Sequence, residues 1–346
     1  MSTDRIALTG DWARGFTTNY GRGLLARHLE RVDTYVAVAH PEPWEVLAPT
    51  LPHTPALVID AGDLTPQHLE HLVETMPTVS AIVGIGGGSA MDTAKWIHWR
   101  RSIPLVQVPS LPSVNACFTR MTALRDAGGV RYEGDSVPDA VLVDFDLMAA
   151  APKALVRGGI GDVLSCHTAR HDWSLAAAAG KGYAWDEHAA AMSLAYLDEL
   201  ESLAPQLAAG TDEGVRRLME CHRDIGWRCH ELQHARFEEG SEHFFAYTFE
   251  EVTGRTIMHG ELVTMGVLIM SAIQGNDPQR PRRIADLAAM RTDPAELGVT
   301  WEEIEASMRR LPSFVEEQDL WWSAANGLVV TDDTLDIVRR ALRIEA

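Results

Sequence analysis

Long apolar runs are absent from this sequence of 346 residues. No segment approaches the roughly 20 consecutive apolar residues that a helix needs to cross a bilayer, so the sequence predicts no membrane span. The N-terminal stretch MSTDRIALTGDW has neither a basic start nor an apolar core, and no secretory signal is expected. Hydrophobic residues nevertheless make up 46% of the chain. That content is enough for a full core, and the length suggests two domains.

Cysteine is also scarce. The chain has four cysteines, and their positions match neither a zinc ribbon nor a disulfide framework. Reduced thiols and a cytoplasmic location are therefore the expectation.

Lysine is rarer still, with three residues (Lys95, Lys153 and Lys181) against 27 arginines. The 30 basic and 49 acidic side chains leave a formal net charge of −19. Such an acidic surface repels phosphate backbones, so nucleic acid is not an expected partner. A small basic pocket for a single phosphate is still compatible with this charge.

Short β-branched runs alternate with helical patterns in the first 150 residues, which predicts a parallel sheet covered by helices on both faces. The predicted strands are 34–39, 56–60, 81–86, 104–108 and 140–144. The predicted helices between them are 22–31, 64–76 and 89–99.

After Pro152 the apolar residues recur at helical spacing. The predicted helices are 186–208, 212–236, 259–273, 300–310 and 332–345. The fold class is therefore an α/β dinucleotide-binding domain, residues 1–152, followed by an all-α domain, residues 153–346, that binds metal and substrate.

A glycine-rich turn, Gly86-Gly87-Gly88-Ser89, follows the predicted strand 81–86 and opens a helix. Glycines let the backbone approach a phosphate closely, and a helix N-terminus presents free N–H groups to an anion. The spacing is neither that of the dinucleotide fingerprint nor that of a Walker loop. The alternative is a purely structural strand-to-helix turn.

Three residues of the second domain form a candidate metal site: Asp162, His243 and His259. One carboxylate and two imidazoles suit Zn²⁺, Fe²⁺ or Ni²⁺ and leave coordination positions open for a substrate oxygen. Glu242 and Glu261 stand beside the two histidines and are candidates to orient them. We expect this site in a cleft between the two domains.

A competing motif is His230-Glu231-Leu232-Gln233-His234, which matches the H-E-x-x-H signature of zinc peptidases. On a helix this spacing puts both imidazoles on one face, with Glu231 as general base. The longer form of the signature fails, because Phe237 and Gly240 stand where a glycine and a histidine are required. The alternative is an ordinary solvated helix.

Taken in order, these segments resemble the dehydroquinate synthase-like superfamily, which includes iron-containing alcohol dehydrogenases, glycerol dehydrogenase and sn-glycerol-1-phosphate dehydrogenase. The resemblance is carried by GGGS with Asp92-Thr93-Ala94-Lys95, by PSLPS at 109–113 and by PDAVLVD at 138–144. The segments GDVLS at 161–165 and Arg236 followed by GSEH are most similar to the glycerol-1-phosphate dehydrogenase branch.

This resemblance implies an NAD or NADP cofactor and one divalent metal, with zinc preferred over iron and nickel. The implied cofactor-binding residues are Gly86, Gly87, Gly88, Ser89, Asp92, Lys95, Ser110, Ser113 and Thr119. The implied metal ligands are Asp162, His243 and His259, which together with Asn115 form the catalytic set. A homo-oligomer is also expected.

Two positions depart from the family pattern. Asn115 stands where the family usually has an aspartate, and an amide cannot act as a carboxylate base. Phe237-Glu238-Glu239 replaces residues that are commonly small in the glycerol-1-phosphate branch. A glutamate pointing into the pocket there would disfavour a phosphorylated substrate.

The expected function is metal-dependent hydride transfer between nicotinamide and a small polyol or ketose, of the glycerol-1-phosphate/dihydroxyacetone phosphate kind. A second hypothesis is a sugar phosphate cyclase resembling dehydroquinate synthase, in which NAD acts transiently. The cyclases have a lysine three residues after their first ligand, whereas Ser165 stands here. A zinc peptidase and a binding-only protein with a degenerate site are the two remaining hypotheses.

Overall fold

The structure is a computed structural model that describes residues 17–113, 115–126 and 129–344. These residues form two compact units, one of residues 17–156 with 222–231 and one of residues 157–221 with 232–344. The domain limits expected from the sequence extend beyond the described residues and stay a prediction. Within the described ranges, no helix is both long enough and apolar enough to cross a membrane.

A parallel sheet forms the centre of the first unit. The strands of this unit are β1 (Thr17–Gly21), β2 (Tyr35–Ala39), β3 (Leu57–Asp60), β4 (Ala81–Gly86), β5 (Leu105–Pro109), β6 (Thr122–Asp126), β7 (Gly129–Glu133) and β8 (Ala140–Asp144). Six of them pair in parallel in the order β1-β8-β5-β4-β2-β3, and β6 and β7 form a separate antiparallel hairpin. The chain steps from β3 at the sheet edge to β4 on the far side of β2, so the strand order reverses between β2 and β4.

Helices cover both faces of this sheet. They are α1 (Leu24–Leu29), α2 (Pro41–Leu47), α3 (Pro66–Thr75), α4 (Gly88–Arg101) and α5 (Phe145–Ala150). Leucines of α1, α2 and α5 pack with Val83 and Ile85 on one face. On the other face α4 lies directly on β4, because a Cβ at Gly84 would be 2.9 Å from that of Ala94. Strands buried on both faces need the continuous apolar runs seen in the sequence.

The rest of the described chain is helical. Its helices are α6 (Lys153–Gly158), α7 (Ile160–Leu164), α8 (Cys166–Ala178), α9 (Glu187–Ala209), α10 (Asp212–Leu232), α11 (Ser241–Thr253), α12 (His259–Gln274), α13 (Gln279–Leu287), α14 (Trp301–Glu317) and α15 (Asp332–Leu342). Helix α12 is apolar on nearly all sides and is buried from Gly260 to Ser271, so it forms the core of the second unit.

The predicted fold class, a parallel α/β part followed by an all-α part, is confirmed. The prediction missed β1, the β6–β7 hairpin and helices α2, α5, α6, α7, α8, α11 and α13. It also ended the helix 300–310 too early, because α14 continues through Pro312 to Glu317. The predicted helix 212–236 was too long, since α10 ends at Leu232.

Candidate active site

Close backbone approach brings Asp162 and His259 together. Asp162 lies in the short helix α7, and His259 is the first residue of α12. A Cβ at Gly161 would lie 2.1 Å from the carbonyl oxygen of Gly260, a distance that no side chain tolerates. Glycine at each of these neighbouring positions therefore lets the two helices touch through their backbones.

A second close approach positions His243. It lies in the first turn of α11, which packs against α12 at Gly266. A Cβ at Gly266 would be 2.4 Å from the carbonyl oxygen of Glu242, the residue before His243. The packing of α7 and α11 on α12 thus brings three residues that are distant in the sequence into one cluster.

The ligand atoms of Asp162, His243 and His259 all lie within 4.8 Å of one another. No other group of three or more histidine, cysteine or acidic residues within the described ranges has this arrangement. The Asp162 Oδ1 atom is buried and has no hydrogen-bond partner, and His259 Nε2 lies 3.4 Å from it. Two ligands bound at about 2.0–2.2 Å in a tetrahedral zinc site are separated by roughly this distance. The donor set therefore fits a divalent metal ion.

The pKa values of two of these side chains are strongly perturbed. Burial raises the pKa of Asp162 to about 7, opposed by His243 and reinforced by Glu239. Burial alone would lower the pKa of His243. The hydrogen bond to Glu242 and the negative charges of Glu242, Glu239 and Asp162 outweigh burial and raise the pKa of His243 to about 9. Carboxylates thus concentrate negative charge on this cluster, as expected where a cation binds.

Of the two glutamates beside the histidines, Glu242 forms a hydrogen bond with an imidazole. The His243 Nδ1–H donates to Glu242 Oε1 at 3.0 Å, which leaves Nε2 as the nitrogen able to bind a metal. The same Oε1 accepts from Gly240 N, and Oε2 accepts from the Thr168 hydroxyl. Glu261 is instead held by a bidentate ion pair with Arg291 at 2.6 and 2.7 Å.

The glycine-rich turn lies at the carboxyl end of β4, next to the point where the strand order reverses. Gly86 has φ +149°, and a Cβ there would meet that of Ala90 at 2.9 Å. Gly87 precedes the first residue of α4 and carries no capping side chain. The N-terminus of α4 thus lies where the strand order reverses, which is the place where open α/β sheets bind nucleotides.

His40 joins this turn, although the sequence pattern assigns it no role. It follows β2, and its Nε2 lies 2.7 Å from the Ser89 hydroxyl. The signal that could have located it is its place directly after β2, beside β4 in the sheet. Ser110 also meets the turn, since its N–H donates to Gly86 O at 2.9 Å, and a Cβ at Gly87 would lie 4.0 Å from the Ser113 hydroxyl.

The buried residues Lys95 and Asp92 of α4 form a polar cluster with the half-buried Thr119. The Lys95 ammonium is fully buried, and it lies 2.7 Å from Asp92 and donates to the Thr119 hydroxyl and the Met121 carbonyl. These contacts occupy its three donor hydrogens. Lys95 therefore ties α4 to residues 119–121. The backbone carbonyl of Asn115, in the turn that leads there, accepts from Phe118 N at 2.8 Å.

The H-E-x-x-H segment does not form the helix face that the peptidase interpretation needs. Helix α10 ends at Leu232, and Gln233 adopts a left-handed conformation with φ 58°. His234 lies beyond the helix, where its ring packs 4.3 Å from that of Tyr183. The prediction of one continuous helix carrying both imidazoles is wrong, and the peptidase hypothesis loses its geometric basis.

Comparison with known proteins gives three kinds of likeness. Residues 53–152 match the family model described as iron-containing alcohol dehydrogenase. The glycerol-1-phosphate dehydrogenase [NAD(P)+] of Hyperthermus butylicus is 30% identical over 278 residues, covering 78% of this chain and 79% of that protein. The protein of the same name from Aeropyrum pernix is 29% identical, covering 72% of this chain and 69% of that one.

Among solved structures, a probable glycerol dehydrogenase from Sinorhizobium meliloti matches with a TM-score of 0.69 and 22% identity, covering 95% of this chain and 96% of that chain. Glycerol dehydrogenase from Schizosaccharomyces pombe matches with a TM-score of 0.70 and 20% identity, covering 97% and 91%. At these identities the two structures show that the fold is shared.

Proposed function

Because the chain belongs to the glycerol-1-phosphate dehydrogenase family within the iron-containing alcohol dehydrogenases, we propose that it interconverts a small ketose and the corresponding polyol. It is a metal-dependent, NAD(P)-linked oxidoreductase. In the proposed reaction, ketose, NAD(P)H and a proton give polyol and NAD(P)⁺. Glycerol-1-phosphate, which the relatives' names give, is the reference for the substrate class, with dihydroxyacetone phosphate as the corresponding ketose.

The observation that carries the proposal is the convergence of Asp162, His243 and His259 around a buried, unpartnered carboxylate oxygen. These three side chains would hold one divalent ion, for which we propose zinc, with iron and nickel as the alternatives. When bound, the ion supplies a Lewis acid that polarises the substrate oxygen. The hydrogen bond from His243 Nδ1 to Glu242 would keep the proton on Nδ1 and leave the Nε2 lone pair available to the ion.

The cofactor part of the proposal rests on the glycine turn. Gly86, Gly87, Gly88 and Ser89 would hold the pyrophosphate of NAD or NADP at the N-terminus of α4, and the bound nicotinamide supplies or accepts the hydride. Ser110 and Ser113 stand beside this turn and would line the cofactor. We assign Asp92, Lys95 and Thr119 to holding the neighbouring loop in place rather than to direct contact.

Asn115 completes the proposed catalytic set. Its amide can donate to or accept from a substrate oxygen, but it has no acidic proton to transfer at neutral pH. We therefore assign it to orienting the substrate. A cyclase activity on the same fold is less favoured, because the relatives are named as dehydrogenases and Ser165 replaces the lysine expected of a cyclase.

The test is a cofactor assay with the metal-loaded protein. NADH or NADPH is incubated with dihydroxyacetone, dihydroxyacetone phosphate and longer ketoses, and cofactor absorbance is followed together with product identity. Steady loss of absorbance with formation of the polyol supports the proposal. Product formed without net cofactor consumption would support a cyclase instead. His259→Ala should abolish turnover, whereas His230→Ala, its control, should retain it.

A further inference from the structure

One face of α8 contacts the segment that leads into helix α11. Ser165, directly before α8, is followed at helical spacing by Thr168 and Asp172, so the three side chains lie on the same face, and all are fully buried. The Ser165 hydroxyl donates to the Glu238 carbonyl at 2.6 Å, and the Thr168 hydroxyl donates to the Glu242 carboxylate at 2.7 Å. Asp172 is the third member of this row, and it binds the start of α11 itself.

Asp172 supplies an acceptor that α11 lacks locally. The first N–H groups of a helix have no partner inside it, and a side chain at the N-cap position usually accepts from one of them. The N-cap residue of α11 is Gly240, which has no side chain to do so. The Asp172 Oδ2 atom accepts instead from the N–H of Ser241, the first residue of the helix, at 2.7 Å. A carboxylate on α8 therefore caps α11.

The close fit at Gly240 makes this cap specific. A Cβ at Gly240 would lie 2.7 Å from Asp172 Oδ2 and 2.9 Å from the Cα of Ala169. Any side chain at position 240 would therefore displace the carboxylate. A local cap and the Asp172 cap exclude each other, and this chain has the second.

The other oxygen of Asp172 also holds a backbone group. Its Oδ1 accepts from the N–H of Ala324 at 2.7 Å. Ala324 lies in a turn that Asn326 closes by accepting from the Ser323 N–H at 2.8 Å. The carboxylate is thus held from both sides, so its position, and with it the start of α11, is fixed by the surrounding chain.

We propose that Asp172 is a positioning residue for the metal site, which holds His243 in place by capping α11. His243 is the third residue of α11, about 3 Å along the axis from Ser241. Metal–ligand distances vary by only about 0.2 Å, so a small displacement of the helix start takes the imidazole out of position. The inference rests on the proposed function and deepens it, because it assigns the ligand geometry to the protein before the ion binds.

The first test compares Asp172→Ala with Asp144→Ala. Each change removes a buried carboxylate that accepts from two backbone N–H groups, which for Asp144 are those of Leu24 and Asp146 in the first unit. Asp172→Ala should lower metal affinity at least about ten-fold in competition with a chelator, and it should shift the visible absorption bands of the Co²⁺-substituted protein. Asp144→Ala should keep metal affinity within about two-fold of wild type and leave the Co²⁺ spectrum unchanged.

The second test is hydrogen exchange in the unaltered protein, and it decides alone should Asp172→Ala fail to fold. Because Asp172 caps α11 without help from the ion, the Ser241 N–H of the metal-free wild type should exchange at least about 100-fold more slowly than in an unstructured peptide. An ion that orders the start of α11 by itself would give slow exchange in the metal-loaded protein alone.

The outcomes separate two failures. Equal effects of Asp172→Ala and Asp144→Ala on metal affinity and the Co²⁺ spectrum, or unprotected exchange of Ser241 in the metal-free wild type, overturn this inference and leave the proposed function standing. A wild-type protein that binds neither Zn²⁺ nor Co²⁺ and reduces no ketose overturns the proposed function, and this inference falls with it.

Discussion

Glu242 offers the most detailed prediction, because its carboxylate joins the proposed metal site to the protein around it. It is fully buried, and Oε1 accepts from both His243 Nδ1 and Gly240 N while Oε2 accepts from Thr168. In Glu242→Gln the amide oxygen can still accept from His243 and Gly240, and the amide nitrogen can face the Thr168 hydroxyl, which can rotate to accept. The change therefore removes the negative charge and keeps the hydrogen bonds.

Removing that charge weakens the imidazole as a ligand. Partners of metal-bound histidines typically contribute 10- to 100-fold to metal affinity. We expect Glu242→Gln to lower affinity about ten-fold, which corresponds to about 1.4 kcal/mol. Glu242→Ala also leaves the N–H groups of His243 and Gly240 without an acceptor, at about 1–3 kcal/mol each. It should lower affinity by about 100-fold and reduce the free energy of unfolding as well.

Metal affinity is measured by competition with a chelator of known affinity, and unfolding by denaturant titration of the metal-free protein. Glu261→Gln is the matched control, because the Glu261 carboxylate pairs with Arg291 rather than with a ligand imidazole. Its metal affinity should stay within about two-fold of wild type. Unchanged metal affinity in both Glu242 variants would refute the positioning role of this carboxylate.

Two further predictions concern the buried supports of the site. Lys95→Met leaves the Asp92 carboxylate buried without its cation, so the free energy of unfolding in urea should fall by about 3–5 kcal/mol. The double variant with Asp92→Asn should recover part of that loss. Equal stability of the single and double variants would contradict the pairing. Gly161→Ala places a Cβ 2.1 Å from the Gly260 carbonyl oxygen, so the free energy of unfolding should fall by at least about 1–3 kcal/mol and metal binding should be lost. Thermal unfolding and metal analysis measure these two effects. Gly62→Ala, where a Cβ makes only ordinary contact, should be near neutral, and a Gly161→Ala protein that keeps wild-type stability and metal would contradict the close-packing argument.

Strong local patterns predicted the sheet well. The strands β2, β4, β5 and β8 are short runs buried on both faces, so each one is a continuous apolar stretch in the sequence. Strand β1 was not predicted, because its sequence, TTNYG, is mostly polar and the strand is half-exposed at the sheet edge. Helix α2 was missed because Pro41 and Pro43 resemble a turn, although a helix tolerates proline in its first turn.

The candidate site was predicted only in part, because its members meet through tertiary packing. Asp162, His243 and His259 were chosen from their sequence context, and the structure brings them within one cluster. No periodicity could show that α7 and α12 touch through Gly161 and Gly260. The sequence also could not predict the contacts of Lys95, because no local pattern shows that its ammonium group pairs with Asp92, Thr119 and Met121 inside the protein.

At the end of α10 the sequence pattern predicted more helix than the structure has. The spacing of His230 and His234 fits one helix face, yet Gln233 turns into the left-handed region and ends the helix between them. Non-glycine residues adopt that conformation only where the surroundings stabilise it. Local sequence therefore favoured a longer helix, whereas in the structure His234 lies beyond the helix and packs against Tyr183.

Metal content tests the central claim most directly. The purified protein should hold about one divalent ion per chain. Asp162→Ala and His259→Ala should each lose most of it while keeping the helical circular dichroism of the wild type, and His230→Ala should retain it. Unchanged metal in the Asp162 and His259 variants, or loss of metal from His230→Ala alone, would contradict the account.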